Sequence, residues 1–287
     1  MNQNVRASLS VAAAALLFGS TFVVMKDSVA DASPTAFLAA RFGIGAAVVL
    51  GLAARRSPLP RGIAWPAVAT GGVLLLGYVL QTVGLQYTST STSAFITYML
   101  VVLVPVYAAL LHRELPRMHV FVALVVTATG LWLLTGGVDS IGKGEWLTVG
   151  CAAAYAAHIL CVNHWTNRFD LAWFTGLQLL VVSVGAAVPG ALQGGYDFGW
   201  VAWRGAIFTG VGASAIAFLL QIYGQRLLGP TRTAIVLMIE PVSAAVIGYA
   251  IGERLGANGL VGALLILLGV GLAELGGLIP RPSTKSQ

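Results

Sequence analysis

The sequence predicts an all-α membrane protein: ten transmembrane helices, arranged as two inverted five-helix repeats around a central cavity. Three observations carry this. Of the 287 residues, 57% are hydrophobic and 9% charged, against roughly 25% charged in a soluble domain. The apolar stretches have about the 20-residue length a helix needs to cross the hydrocarbon core, and the charges collect between them. Matching residues also recur in order along the chain. Leu80, Gln81 and Gly84 recur as Leu220, Gln221 and Gly224, and Ala94 as Ala234, each 140 apart. Glu114 and Gly130 recur as Glu253 and Gly269, 139 apart, while Phe18, Phe37 and Arg41 stand opposite Tyr155, Phe174 and Gln178, 137 apart. A repeat with an odd number of crossings must insert its second copy upside down, and inverted repeats of this kind give two near-equivalent packings. The repeats divide at residues 1–138 and 139–287.

The spans fall near residues 8–28, 35–54, 64–85, 91–111, 118–136, 145–167, 171–192, 203–225, 231–251 and 257–279. The first follows Arg6 and precedes Ala30-Asp31-Ala32, which resembles a signal-peptide cleavage site; the repeat needs this helix, so it is read as retained. Glycine and alanine in Gly43–Ala47, Gly71-Gly72, Gly210–Ala217 and Gly269–Gly277 allow close helix approach. The fifth span ends at the polar break around Gly136–Gly144, which separates the halves. In the ninth, Pro241 removes a helix hydrogen bond and frees a carbonyl. Closed barrels need alternating segments of about ten residues, which are absent.

The net charge of +6 is a topology signal. With the N-terminus, alternate loops and the C-terminus on one side, that side carries Arg6, Arg55, Arg56, Arg61, Arg113, Arg117, Arg168, Arg226, Arg232, Arg281 and Lys285, against Lys26, Lys143, Arg204 and Arg254 on the other. Eleven against four puts both termini in the cytoplasm by the positive-inside rule. The basic excess therefore implies no nucleic-acid partner. Cys151 and Cys161 are ten residues apart on one predicted helix, about 15 Å along its axis, too far to pair. No metal-ligand spacing, cofactor motif or phosphate-cradling loop is present, so neither metal, cofactor nor direct use of ATP is expected. The nucleophile and zinc-protease spellings are absent as well, and the chain is read as not an enzyme.

Ionisable and strongly polar groups within lipid need a reason. Glu240, beside the proline break in mid-span, is the strongest candidate for a cation or proton site; its bland alternative is a structural carboxylate paired with a neighbour. Tyr155 and His158 are three apart and share a helix face, where His158 either relays protons or makes an interhelical hydrogen bond. Tyr78 and Gln81 share a face in the outer half of the third span, and Gln221 falls at a mirrored depth in the inner half of the eighth. These glutamines suit two ends of one pathway or plain helix–helix contact. Arg41 either snorkels outward, pairs with Glu240 or binds an anionic group. Phe18 and Tyr98 lie near mid-depth, placed to stack on a substrate, whereas Trp132 and the tryptophans near helix ends read as packing or interfacial anchors. Glu114 and Glu253 face opposite sides of the membrane and read as helix-connection residues.

Ala15-Leu16-Leu17-Phe18-Gly19-Ser20-Thr21-Phe22, Ala40-Arg41-Phe42, and Glu240-Pro241 followed by Gly252-Glu253-Arg254-Leu255, Gly262 and Gly269 resemble the drug/metabolite transporter superfamily, in particular its ten-helix EamA-type members. Pro105 lies nine residues before Glu114 while Pro241 lies twelve before Glu253, so the first half departs from the pattern. The resemblance implies an inner-membrane exporter of small metabolites, shaped as a basket with spans five and ten peripheral. Amino-acid exporters, including those for aromatic amino acids, match a cavity offering Tyr, Phe, His and Gln. The expected partners are a small-molecule substrate, the bilayer and a coupling proton. The rivals are a same-fold carrier for drugs or metabolites such as nucleotide sugars, and a passive channel.

Overall fold

The computed structural model describes residues 3–28, 32–113, 117–138, 141–250 and 256–277, and within these every regular element is helical. The first three spans are α1 (Gln3–Ser28), α2 (Pro34–Arg56) and α3 (Ala64–Gly84). The fourth is two helices, α4 (Thr90–Tyr98) and α5 (Leu100–His112), followed by α6 (Met118–Thr135). The second half opens with α7 (Lys143–Trp165) and α8 (Leu171–Leu192). A composite span follows, in which α9 (Trp200–Thr209) and α10 (Phe218–Leu228) are joined by a π-helical segment, Gly210–Ala217. The ninth span is again divided, into α11 (Pro230–Leu237) and α12 (Ile239–Ala250), and α13 (Ala257–Gly277) ends the described chain. Nine of the described spans are long and apolar enough to cross a membrane by length and composition, and α1, at 26 residues, packs among them.

The helix boundaries have local causes. Pro34 opens α2, where its missing N–H leaves nothing unpaired, and the Ser33 hydroxyl accepts from the Ala36 N–H. Ser89 caps α4 through the Thr92 N–H at 3.1 Å, and the Asp170 carboxylate accepts from the Ala172 and Trp173 N–H groups. Gly136, at φ 82°, supplies the left-handed residue that ends α6. Between α11 and α12 the interruption at Met238 follows from Pro241, which cannot donate to the Leu237 carbonyl four residues back. The matching interruption at Met99 has no such proline, since Pro105 lies further on inside α5; nothing in the local sequence explains it.

Helices meet where side chains are small. The strongest associations are α2 along α8, α6 along α13, α3 along α7 and α8, and α1 along α10 and α12. A Cβ on Gly130 would lie 2.6 Å from the Gly262 carbonyl oxygen, and one on Gly262 2.5 Å from that of Gly130, so α6 and α13 touch backbone to backbone. Gly45 faces Ser214, Gly71 faces Gln178 and Val181, and Gly210 faces the Arg41 carbonyl. Not every small residue is used this way: Gly72, Gly212 and Gly271 face open space. Glu114, Glu253, Arg254 and Arg281 lie outside the described residues, and so does the Lys26 side chain.

Candidate functional site

Aromatic side chains from five spans converge at mid-molecule. The Phe18 ring, from α1, meets Phe218 of α10 edge-on at 5.3 Å, and Phe218 meets Phe42 of α2 at 6.1 Å. Phe42 meets Tyr78 of α3 at 4.9 Å, and Tyr78 meets Tyr155 of α7 at 5.4 Å. All are T-shaped contacts, the geometry ring quadrupoles favour. The His158 ring joins from α7, 6.4 Å from Phe218.

Polar groups ring this cluster. The Tyr155 hydroxyl donates to Gln81 Oε1 at 3.2 Å, and Gln81 Nε2 donates to Thr97 Oγ1 at 3.4 Å. This ties α7, α3 and α4 together. Gln178 Nε2 donates to the Phe174 carbonyl at 3.0 Å, which aims Gln178 Oε1 at His158 Nε2, 2.9 Å away. An amide oxygen only accepts, so this arrangement assigns the proton of His158 to Nε2 and fixes the ring's orientation. His158 is therefore held by α8 within its own half, in the interhelical role.

Arg41 does not snorkel. It is 4% exposed, its Nε donates to Ser214 Oγ at 3.1 Å, and its guanidinium sits 5.1 Å from the Phe42 ring centroid and 6.0 Å from that of Tyr78. Ser214 lies in the π-helical segment, and segments with i→i+5 bonding are frequent at functional sites because they re-aim side chains. Glu240 stands in the first turn of α12, just past the Met238 interruption. Its carboxylate lies near the Tyr98 hydroxyl and within the electrostatic reach of Arg41. Gly19 makes this approach of α1 possible, since a Cβ there would lie 2.7 Å from the Glu240 carbonyl oxygen.

The structure thus brings together Phe18, Arg41, Tyr78, Gln81, Tyr98, Tyr155, His158 and Glu240. Gln221 is buried on α10 outside these contacts; one turn before it, Phe218 occupies the cluster. Sequence reasoning passed over Phe42, Phe218, Gln178 and Ser214. The signal for Phe218 was present, because the 140-residue register that pairs Gln81 with Gln221 also pairs Tyr78 with Phe218.

Residues 5–136 and 142–274 each match the EamA-like transporter family. An uncharacterized transporter of Archaeoglobus fulgidus is 29% identical over 276 residues, covering 94% of this chain and 86% of that protein. The uncharacterized transporter YyaM of Bacillus subtilis is 25% identical over 289 residues, covering 94% and 93%. A solved protein structure with 20% sequence identity superposes at a TM-score of 0.83 over 94% of this chain and 98% of its own, a likeness of fold alone.

Proposed function

The chain belongs to the EamA-like transporter family, a multi-pass membrane transporter of small molecules, and on that premise we propose that it exports amino acids, aromatic ones among them, across the bacterial inner membrane by alternating access. The observation that carries the substrate class is the pairing of one buried cation, Arg41, with one carboxylate, Glu240, across a cluster of rings. A zwitterion with a planar side chain satisfies all three: carboxylate toward Arg41, ammonium toward Glu240, ring among Phe18, Tyr78, Tyr155 and Phe218. Glu240 also serves the coupling proton, because a carboxylate at a helix interruption exchanges a proton where an intact apolar span offers no group to do so.

The two halves act as inverted repeats in this reading. The interruptions at Met99 and Met238 are 139 residues apart, the offset that pairs Gly130 with Gly269. Exchanging the halves turns the α3–α7 packing into the α10–α1 packing and leaves α2–α8 and α6–α13 unchanged, as a pseudo-two-fold relation requires. Both termini are cytoplasmic by the distribution of Lys and Arg.

Counterflow of radiolabelled amino acids into proteoliposomes loaded with unlabelled ones tests the proposal. Uptake driven by aromatic amino acids is the expected result; uptake driven by none of the amino acids, but by drugs or other metabolites, overturns the substrate class. Gly77→Ala gives a finer check. A Cβ there would lie 2.3 Å from Tyr155 Cε1, so the ring turns away and releases Gln81. The loss of about 1.4 kcal/mol of contact raises KM for ring-bearing cargo roughly tenfold, with cargo lacking a ring unaffected.

A further inference from the structure

Away from the aromatic cluster, three helix ends share one charged contact. Arg232, in the first turn of α11, pairs with Glu274, near the end of α13, at 2.7 Å. The Ser8 hydroxyl, from the start of α1, donates to the same carboxylate oxygen. The two charged side chains are 17% and 24% exposed, so they are screened less than a surface pair. The contact is also incompletely satisfied, since Arg232 Nε and Glu274 Oε1 are buried without partners. Such a pair holds, yet rehydration of those two atoms offsets part of the cost of opening it.

Its position gives it a role. Among the described helices, α11 packs along α5, whereas α4 and α12, the other halves of the two interrupted spans, share few close contacts, the approach of Tyr98 to Glu240 among them. The molecule is therefore packed more tightly at the end where α5 and α11 meet, and that is the end where Ser8, Arg232 and Glu274 lie. The repeat register puts Thr92 and Ser93 opposite Arg232 and Thr135 opposite Glu274, so the first half has hydroxyls where the second has charges, and its α4–α6 contact is the edge-on meeting of Phe95 and Trp132 at 5.6 Å.

We propose that the Ser8–Arg232–Glu274 contact is a one-sided ionic latch that holds α11 against α13 and α1, and so biases the transporter toward the state closed at its cytoplasmic end. The proposal rests on the alternating-access reading above and on the cytoplasmic placement of the termini.

Hydrogen–deuterium exchange of the full chain in lipid nanodiscs tests it with Arg232→Met, Glu274→Gln and the swapped double variant Arg232→Glu/Glu274→Arg. Each single variant is expected to speed exchange in α11 about fivefold and, because the two ends open alternately, to slow exchange in α4 and α12. The swapped pair restores wild-type exchange at both ends. A merely structural contact would loosen α11 and leave α4 and α12 unchanged, and that result overturns the latch, as does unchanged exchange in α11 or a swapped pair as loose as the single variants. If a single variant fails to fold, the swapped pair alone decides: wild-type exchange supports the latch, and loosened exchange with the charges reversed removes it. Wild-type counterflow, measured separately, tests the transporter reading without touching these residues.

Discussion

Glu240→Gln is expected to abolish proton-driven uptake and flatten the pH dependence of counterflow while the protein stays folded. The amide matches the carboxylate in shape and keeps its place beside the Tyr98 hydroxyl, so the Met238 interruption keeps its packing. Arg41 retains Ser214 and the rings of Phe42 and Tyr78. What is lost is the negative charge, and with it both the proton acceptor and the partner of a substrate ammonium. Losing one partner of a buried charge contact costs about 3 kcal/mol, or roughly a hundredfold in affinity. Proteoliposome uptake at several pH values, with thermal unfolding as the folding control, measures this. A variant whose uptake keeps the wild-type pH profile removes Glu240 from the coupling role.

Arg41→Ala carries an effect of similar size and a different signature. The guanidinium is the cation that faces the ring cluster, and truncation removes both its charge and its stacking on Phe42. Affinity for an aromatic amino acid should fall by about 3 kcal/mol, again roughly a hundredfold. The matching aromatic amine, which lacks the carboxylate, should bind with little change. The ratio of the two affinities is therefore the measurement. Equal losses for both compounds would mean that Arg41 shapes the site without touching the carboxylate. Arg41→Lys distinguishes charge from geometry, because lysine keeps the charge but cannot reproduce the planar fork that holds Ser214 and lies over the rings.

The spans were legible from sequence because the bilayer imposes one length on all of them; the sixth, placed at 145–167, is observed at Lys143–Trp165, and the seventh, placed at 171–192, at Leu171–Leu192. The interruption at Met238 was legible through Pro241. That at Met99 was not, for want of any local residue that forbids a helix. The π-helical segment was equally hidden, since hydropathy reports which residues prefer lipid and not whether a carbonyl bonds four or five residues on. Most of the site was readable because a polar group within a span is costly enough to be noticed. Phe42 and Phe218 escaped for the opposite reason: in lipid a phenylalanine is ordinary, and only its neighbours make it part of a site. The Arg232–Glu274 pair escaped because its members lie 42 residues apart on different spans, and no local pattern joins them.

The composite span from Trp200 to Leu228 has 29 residues, against 21 in Ala64–Gly84. At 1.5 Å per residue in regular helix the longer one extends roughly 40 Å, allowing for the shorter rise of its π-helical middle, beside a hydrocarbon slab of about 30 Å. It must tilt strongly or stand proud of the slab, whereas its counterpart in the first half fits nearly upright. The two halves consequently respond differently to the thickness of the surrounding lipid. Longer acyl chains relieve the tilt of one half and strain the fit of the other, so the membrane itself takes part in setting how far each half leans.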